Sequence, residues 1–351
     1  MTEVHFVVPE GIDDPDRPSG GNVYDRRVSC ELAALGWLVH EHAVPGLWPT
    51  PAPDDPAVLR DVVSAIPDGA VVLPDGLIAS AAPEVLVPEA RRLSLVILAH
   101  MPLGNSPSGE AVARREATVM SAAATVVTPG ESTRRWLVEE YSLHPDRVHV
   151  AEPGVDAADI APGTATGGEL LCVAAVTPNK GHEVLLAALA KIQHLGWQCT
   201  CVGSLSRDAG FVDRLQSQAR ADGIGGRVRF TGPLTGPALD AAYAGGDLLV
   251  LASRSESYGM VVTEALARGL PVVATSVGGL PQAIDGESGG ARPGLLVPPD
   301  APAALAEALS AWLGDVELRR RLRRAAEQRR DTLFGWSVTA ERMSRVLAGL
   351  A

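Results

Sequence analysis

Twelve short runs of apolar and β-branched residues recur along the chain, separated by stretches of helix-like sequence. The first half contains VHFVVPE, LVHEHAV, AVVLP, LSLVILAH, ATVVTP and RVHVAEP. The second half contains ELLCVAAV, CTCVGS, RVRFTG, DLLVLAS, PVVATS and GLLVPP. Runs that are apolar on both faces are typical of buried parallel strands. Their alternation with helices indicates βαβ units, so we predict an α/β protein of two doubly wound, Rossmann-like domains with a cleft between them.

The length and one flexible stretch set the expected domain boundaries. The chain has 351 residues, which suits two domains. The segment EPGVDAADIAPGTATGGE is rich in Gly, Pro, Ala and Thr, and it joins the two halves. We predict an N-terminal domain over residues 1–155, a linker over 156–168, a C-terminal domain over 169–330 and a final helical segment over 331–351. Ligands of such sheets bind beyond the carboxyl ends of the strands, so functional residues should follow strands.

Charge is distributed unevenly and restricts the classes of partner. The net charge is -12, and residues 1–155 contain 11 Arg, no Lys and 22 Asp and Glu. This acidic half argues against nucleic acid and disfavours anionic membranes as partners, whereas a neutral or cationic partner is compatible with it. No apolar run reaches the roughly 18 residues that suggest a membrane span. The N-terminal stretch MTEVHFVVPEG has no basic region before its apolar run, so we expect a first strand and a cytoplasmic protein.

The four cysteines do not form a metal-binding or redox pattern. Cys30, Cys172, Cys199 and Cys201 include no CxxC pair. Free cysteines are usually buried, so we interpret all four as buried thiols.

Two candidate sites follow strands of the first half. Gly20 and Gly21 open a helix predicted to begin near Asn22, where glycines allow backbone to approach a phosphate and the helix N-terminus offers N–H groups. A turn without a ligand is the more common outcome for such a glycine pair. His100 ends an apolar strand, where it can donate to a ligand oxygen or serve only as a polar residue of the rim.

Lys180 is the first candidate in the second half. The chain has only two lysines, Lys180 and Lys191, against 28 arginines. Lys180 and Gly181 lie between a strand and an amphipathic helix. An ammonium at this position can neutralise a diphosphate, although an ordinary surface lysine is the alternative.

A helix N-terminus flanked by two carboxylates is the strongest candidate. The backbone N–H groups of Gly259, Met260 and Val261 are expected to lack helical partners and to form a positive end suited to a phosphate. Glu264 lies about one turn into the helix, where it can accept from two vicinal hydroxyls such as those of a ribose. Glu256 precedes the helix, and a sugar fits it because a carboxylate binds hydroxyls but repels phosphate. Alternatively, both acids serve only the helix dipole.

Glu256 and Glu264 are separated by seven residues, and this spacing resembles the E-x7-E motif of retaining glycosyltransferases of family 4, which have the GT-B fold. The resemblance extends over nearly the whole chain. It includes the Gly20–Gly21 loop, TPGESTRRWL, VAEPGVD, Lys180–Gly181, FTGPL, GLPVVATSVGGLPQAI, PGLLVPPDAPAALAEAL and a last helix near Trp336.

The resemblance implies a role for each matching position. Glu256 would contact the donor sugar, His100 the transferred sugar, and Lys180 the diphosphate; these three are the implied catalytic residues. The implied donor-binding residues are Gly20, Gly21, Lys180, Arg207, Leu234, Glu256, Ser257, Tyr258, Gly259, Met260, Val261 and Glu264. The first domain would bind the acceptor, the second would bind the nucleotide sugar, and the last helix would cross back onto the first domain.

One position departs from the family. Members usually have an arginine about five residues before the lysine, and Ala175 stands there in this chain. Arg207, in GSLSRD after the next strand, is our candidate replacement.

The resemblance predicts a hexosyltransferase that moves a sugar from a nucleotide diphosphate sugar to a hydroxyl with retention, by front-face attack. We favour a UDP-sugar, then a GDP-sugar, and a small soluble polar acceptor such as an aminocyclitol or amino sugar. No DxD pair ends a strand, so we expect no metal, and no cofactor is implied. A lipid or glycan acceptor, a nucleotide-sugar epimerase or hydrolase, and a non-catalytic binding protein stay open. A dinucleotide oxidoreductase is disfavoured because no GxGxxG follows the first strand.

Overall fold

The computed structural model describes residues 2–105, 109–286 and 290–350. It contains two parallel six-stranded sheets flanked by helices, which confirms the predicted α/β class and all twelve predicted strands. The chain divides into two compact units. The first unit contains residues up to Asp14, Gly20–Gly154 and residues from Gly335 onward, and the second contains Pro15–Ser19 and Val155–Phe334.

The first unit has the strand order β2-β1-β3-β4-β5-β6. Its strands are β1 Glu3–Pro9, β2 Leu38–Val44, β3 Val71–Pro74, β4 Ser94–Leu98, β5 Thr125–Thr128 and β6 Val148–Val150. Its helices before the second unit are α1 Gly20–Ala34, α2 Asp55–Ser64, α3 Gly76–Ala81, α4 Pro83–Glu89, α5 Glu110–Ala122 and α6 Glu131–Glu140. All four residues of β3 are buried, as expected for a central strand with both faces covered.

The second unit has the order β12-β11-β10-β7-β8-β9. Its strands are β7 Glu169–Val173, β8 Gln198–Val202, β9 Val228–Gly232, β10 Leu248–Leu251, β11 Val272–Thr275 and β12 Gly294–Val297. Its helices are α7 His182–Lys191, α8 Ala209–Ala221, α9 Gly236–Ala244, α10 Met260–Ala267, α11 Leu280–Asp285, α12 Pro302–Gly314 and α13 Val316–Arg330. The order reverses direction at β7 and β10, and this is the kind of point at which open α/β sheets place ligands.

The last helix, α14 Trp336–Ala348, belongs to the first unit. Thr339 Oγ1 donates to the carbonyl of Glu152 at 2.7 Å, and Trp37 Nε1 donates to Ser344 Oγ at 2.9 Å. A Cβ on Gly154 would lie 2.4 Å from the backbone nitrogen of Trp336, so only glycine allows this approach.

Two sequence expectations need correction. Helix α1 begins at Gly20 rather than near Asn22, so both glycines lie in its first turn. Cys30 is exposed on this helix, whereas Cys172, Cys199 and Cys201 are buried as predicted. Within the described ranges, no helix is both long enough and apolar enough to cross a membrane.

Candidate functional site

In the second unit, the predicted residues cluster at the carboxyl ends of neighbouring strands. Lys180 follows β7, Arg207 follows β8, and Glu256 follows β10. Because the strands are parallel, their carboxyl ends lie at the same edge of the sheet. Loops that are distant in the sequence therefore lie close together there.

Lys180 and Glu256 form an ion pair at this edge. Lys180 Nζ lies 2.6 Å from Glu256 Oε1, and the two side chains are 25% and 13% exposed. Ser253 Oγ donates to the same carboxylate oxygen at 2.9 Å. Gly181 has φ 64°, and a Cβ there would lie 2.0 Å from the carbonyl oxygen of Ala252. The tight approach of the two loops therefore depends on glycine and brings the ammonium to the carboxylate.

The loop after β11 supports the Glu256 loop. Gly278 has φ 50°, and a Cβ on it would lie 1.8 Å from the carbonyl oxygen of Glu256. The N–H of Gly279 donates to that same carbonyl at 2.9 Å. The two glycines thus fix the backbone that carries Glu256.

Helix α10 begins directly after this loop. Its N-cap is Gly259, with φ 95°, which has no side chain to accept from the N–H groups of the first turn. Tyr258 is buried, whereas Met260 and Val261 are partly buried. Unsatisfied N–H groups and the dipole at such an end attract an anion.

Glu264 lies in α10 and pairs with a residue that the sequence did not single out. Tyr243 donates its hydroxyl hydrogen to Glu264 Oε2 at 2.6 Å. Burial raises the pKa of Glu264, although the Tyr243 hydrogen bond and the charge of Arg268 oppose this. Tyr243 comes from α9, and no local motif marks it as a partner of Glu264.

The remaining predicted residues of the second unit lie in the same set of loops. Arg207 lies in the turn between β8 and α8, where desolvation of the guanidinium and the charge of Arg17 lower its pKa. Leu234 lies between β9 and α9, packed against the core, and Ser257 is partly buried beside Glu256.

In the first unit, His100 is held by two buried aspartates. Its Nε2 lies 2.6 Å from Asp25 Oδ1 and 3.7 Å from Asp75 Oδ2, and its side chain is 14% exposed. A Cβ on Gly21 would lie 3.2 Å from His100 Cδ2, so the start of α1 packs closely on the imidazole. The sequence pattern indicates His100, Gly20 and Gly21 as site residues, but no motif marks Asp25 or Asp75.

The electrostatics of this cluster are strongly perturbed. Burial, followed by the charge of Asp25, raises the pKa of Asp75 to about 7. Burial alone would lower the pKa of His100, but the two carboxylates outweigh it and the pKa is raised. The three ligand atoms also lie within 4.8 Å of one another, a set that can hold a metal ion.

Two family models match the chain and together cover most of it. The one described as Glycosyltransferase Family 4 matches residues 2–159, and the one described as Glycosyl transferases group 1 matches residues 164–329. Two Rossmann-like units with this pattern of matches define a GT-B protein. The chain belongs to the glycosyltransferases of the family 4 type, as the resemblance predicted.

Curated relatives share about a third of the aligned residues. A D-inositol 3-phosphate glycosyltransferase from Jonesia denitrificans is 31% identical over 281 residues, 74% of this chain and 65% of that protein. One from Salinispora tropica is 33% identical over 280 residues, 73% of this chain and 57% of that protein. The chain thus spans less than two thirds of the length of these relatives.

Solved structures support the fold. Sucrose-phosphate synthase from Thermosynechococcus elongatus matches with a TM-score of 0.82 at 22% identity, covering 100% of this chain and 99% of that one. HepE from Anabaena, solved with UDP-glucose, matches with a TM-score of 0.79 at 17% identity, covering 99% of this chain and 100% of that one.

Proposed function

We propose that the chain is a retaining hexosyltransferase that moves a sugar from a nucleotide diphosphate sugar to a hydroxyl of a small polar acceptor. The observation that carries this proposal is the Lys180–Glu256 pair beside the N-terminus of α10, in a chain of this family. A UDP-sugar is the favoured donor, and a GDP-sugar is the next candidate.

The second unit is proposed to bind the donor. The Lys180 ammonium has three N–H donors, so it can keep Glu256 and still donate to a phosphate oxygen. The first turn of α10 adds a second source of positive potential for the diphosphate. Glu256, held by Lys180 and Ser253, then presents its carboxylate to sugar hydroxyls, and Glu264 is assigned to the ribose.

Arg207 is proposed to supply the positive charge that Ala175 does not. Desolvation and the nearby charge of Arg17 lower the pKa of Arg207. A bound anion would offset both effects, because an opposite charge favours the charged guanidinium. An Arg207→Ala variant should bind the donor more weakly than the wild type, and unchanged affinity would remove Arg207 from the site.

The proposed chemistry is front-face transfer with retention, in which the leaving diphosphate takes the proton of the acceptor hydroxyl. The chain's own residues would orient the two substrates and stabilise charge on the leaving diphosphate. Lys180, Arg207 and the α10 N-terminus can do so without a metal, so transfer should persist after chelation of divalent cations. Activity that strictly requires Mg²⁺ or Mn²⁺ would contradict this mechanism.

The first unit is proposed to bind the acceptor. The names of the curated relatives specify an inositol phosphate acceptor for those proteins, which supports a compact polyhydroxylated acceptor here. The acidic character of residues 1–155 favours a neutral or amino-bearing version of such a molecule.

A transfer assay tests the proposal. The purified chain is incubated with UDP-glucose or GDP-mannose and with inositol, inositol phosphate or an aminocyclitol, and products are identified by mass spectrometry and by the anomeric NMR signal. We expect an acceptor-dependent glycoside with the donor's anomeric configuration. Sugar-nucleotide turnover that is equal with and without acceptor would favour an epimerase or hydrolase instead.

A further inference from the structure

The contacts of the Asp25–Asp75–His100 cluster leave one buried oxygen without a partner. Asp25 is fully buried, and its Oδ1 contacts His100 Nε2, whereas no hydrogen-bond partner of its Oδ2 is found in the part of the chain that the structure describes. An unpaired buried carboxylate oxygen is costly, so a donor for Oδ2 is expected.

Asp75 is the group that can provide this donor. Its Oδ1 accepts from the backbone N–H groups of Leu77 and Ile78 at 2.7 and 3.3 Å, which caps α3. Its Oδ2 lies 3.7 Å from His100 Nε2, too far for a hydrogen bond to the imidazole. A proton on Oδ2 would let Asp75 donate to Asp25, and the raised pKa of Asp75, caused by burial and by Asp25, agrees with a retained proton.

We propose that Asp25 and Asp75 are positioning residues for His100. Asp75 keeps its proton and donates it to Asp25 Oδ2, while Asp25 Oδ1 accepts from Nε2–H of an imidazolium. The buried cluster is then electrically neutral, with one cation, one anion and one neutral acid. Nδ1–H of His100 becomes a donor of fixed orientation, suited to a hydroxyl oxygen of a sugar.

This inference rests on the proposed function for the identity of the sugar, but not for the charge state of the cluster. The titratable side chains that face His100 among the described residues are Asp25, Asp75 and Tyr24. Tyr24 stays neutral, because burial raises its pKa and its hydroxyl donates to the carbonyl of Ala151 at 2.7 Å. Charge on the imidazole is therefore controlled by Asp25, and Asp75 acts only through Asp25.

The short contact argues for hydrogen bonding rather than for a metal site. The 2.6 Å between Nε2 and Oδ1 is a short hydrogen-bond distance, as expected when donor and acceptor are both charged. A divalent cation would require both protons to leave the cluster, so the two occupants are mutually exclusive.

NMR of the ¹⁵N-histidine-labelled full chain tests the charge state without any substrate, and loss of a signal in His100→Gln assigns the ring. In the wild type, we expect both ring nitrogens of His100 to be protonated at pH 7. Asp25→Asn should lower the His100 pKa by about 1 or more, because burial then dominates. Asp75→Asn should leave that pKa close to the wild-type value, because the new amide donates to Asp25 as the neutral acid does.

Activity provides the second readout. In the transfer assay, Asp25→Asn should lose about tenfold or more in kcat with unchanged affinity for UDP. Asp75→Asn should lose less kcat than Asp25→Asn, because its amide still donates to Asp25. Asp13→Asn is the matched control. It makes the same chemical change at an aspartate that contacts Arg26, the neighbour of Asp25 in α1, at 2.6 Å. If Asp25→Asn does not fold, the wild-type and Asp75→Asn titrations decide the question.

Three results would overturn the proposal: a neutral His100 at pH 7 in the wild type, an equal fall of its pKa in both aspartate variants, or displacement of the imidazole signals by micromolar Zn²⁺ or Mg²⁺. Absence of sugar transfer with a charged His100 would instead refute the proposed function and leave the cluster intact.

Discussion

At the scale of single residues, the proposed donor site depends most on the Lys180–Glu256 pair. Lys180→Ala removes the ammonium proposed to contact the diphosphate, so the Kd for the donor should rise about tenfold or more, the effect of one charged hydrogen bond. Isothermal titration calorimetry with the donor measures this. Lys191→Ala is the matched control, because Lys191 is the other lysine of the chain and lies exposed in the last turn of α7. Equal affinities in the two variants would show that Lys180 does not bind the donor.

Some residues of the candidate sites could be predicted from the sequence, and others could not. Lys180 and Glu256 could be predicted because each follows an apolar strand, and parallel strands bring such positions to one edge. Asp25 and Tyr243 could not, because each lies inside a helix and meets its partner only after folding. Their contacts join residues 75 and 21 positions apart in the sequence.

At the scale of elements, three stacked histidines link β1 and β2. His5 lies between His40 and His42, with ring centroids 4.7 and 5.2 Å away, and its Nδ1 lies 3.0 Å from His42 Nε2. Burial, followed by neighbouring histidine charge, lowers the pKa of both His5 and His42 below 6.5. Their contribution to stability is therefore complete above pH 6.5 and is lost as the pH falls through the lowered folded-state values.

Thermal unfolding between pH 5 and 8 checks this prediction. The fall in Tm on acidification should be smaller in His42→Gln than in the wild type, since one titrating ring is gone. His194→Gln changes an exposed histidine of the second unit and should keep the wild-type slope. Identical slopes in all three proteins would rule out the stack as a pH-sensitive element.

A second element-level prediction concerns Glu116 on α5. This side chain is buried and accepts four hydrogen bonds, from Ser80 Oγ, the N–H groups of Leu103 and Gly104, and the hydroxyl of Tyr141. The carboxylate thereby fixes the short 3₁₀ turn Leu103–Asn105 that follows His100.

Glu116→Ala leaves these donors unpaired and should destabilise the first unit by about 3 kcal/mol or more, whereas Tyr141→Phe removes one bond and should cost about 1 kcal/mol. Urea unfolding followed by tryptophan fluorescence measures both, since Trp136 packs on Tyr141 at 4.9 Å. A Glu116→Ala variant as stable as Tyr141→Phe would show that the other three hydrogen bonds of Glu116 do not stabilise the first unit.

At the scale of the whole molecule, the architecture was predictable because each strand is a short apolar run between amphipathic helices. All twelve runs became strands of two parallel sheets. The assignment of Pro15–Ser19 to the second unit was not predictable, because this polar loop has no periodicity and its place depends on tertiary contacts.

A thermal-shift panel of UDP-, GDP-, ADP- and dTDP-sugars asks whether the chain binds a nucleotide diphosphate sugar, on which every proposed role of the second unit depends. Ligand at 100 times its Kd stabilises the folded state by about 2.7 kcal/mol, enough for a clear rise in Tm. We expect one base to dominate, with the UDP-sugar giving the largest rise. No rise with any of the four at millimolar concentration would contradict the proposed donor site.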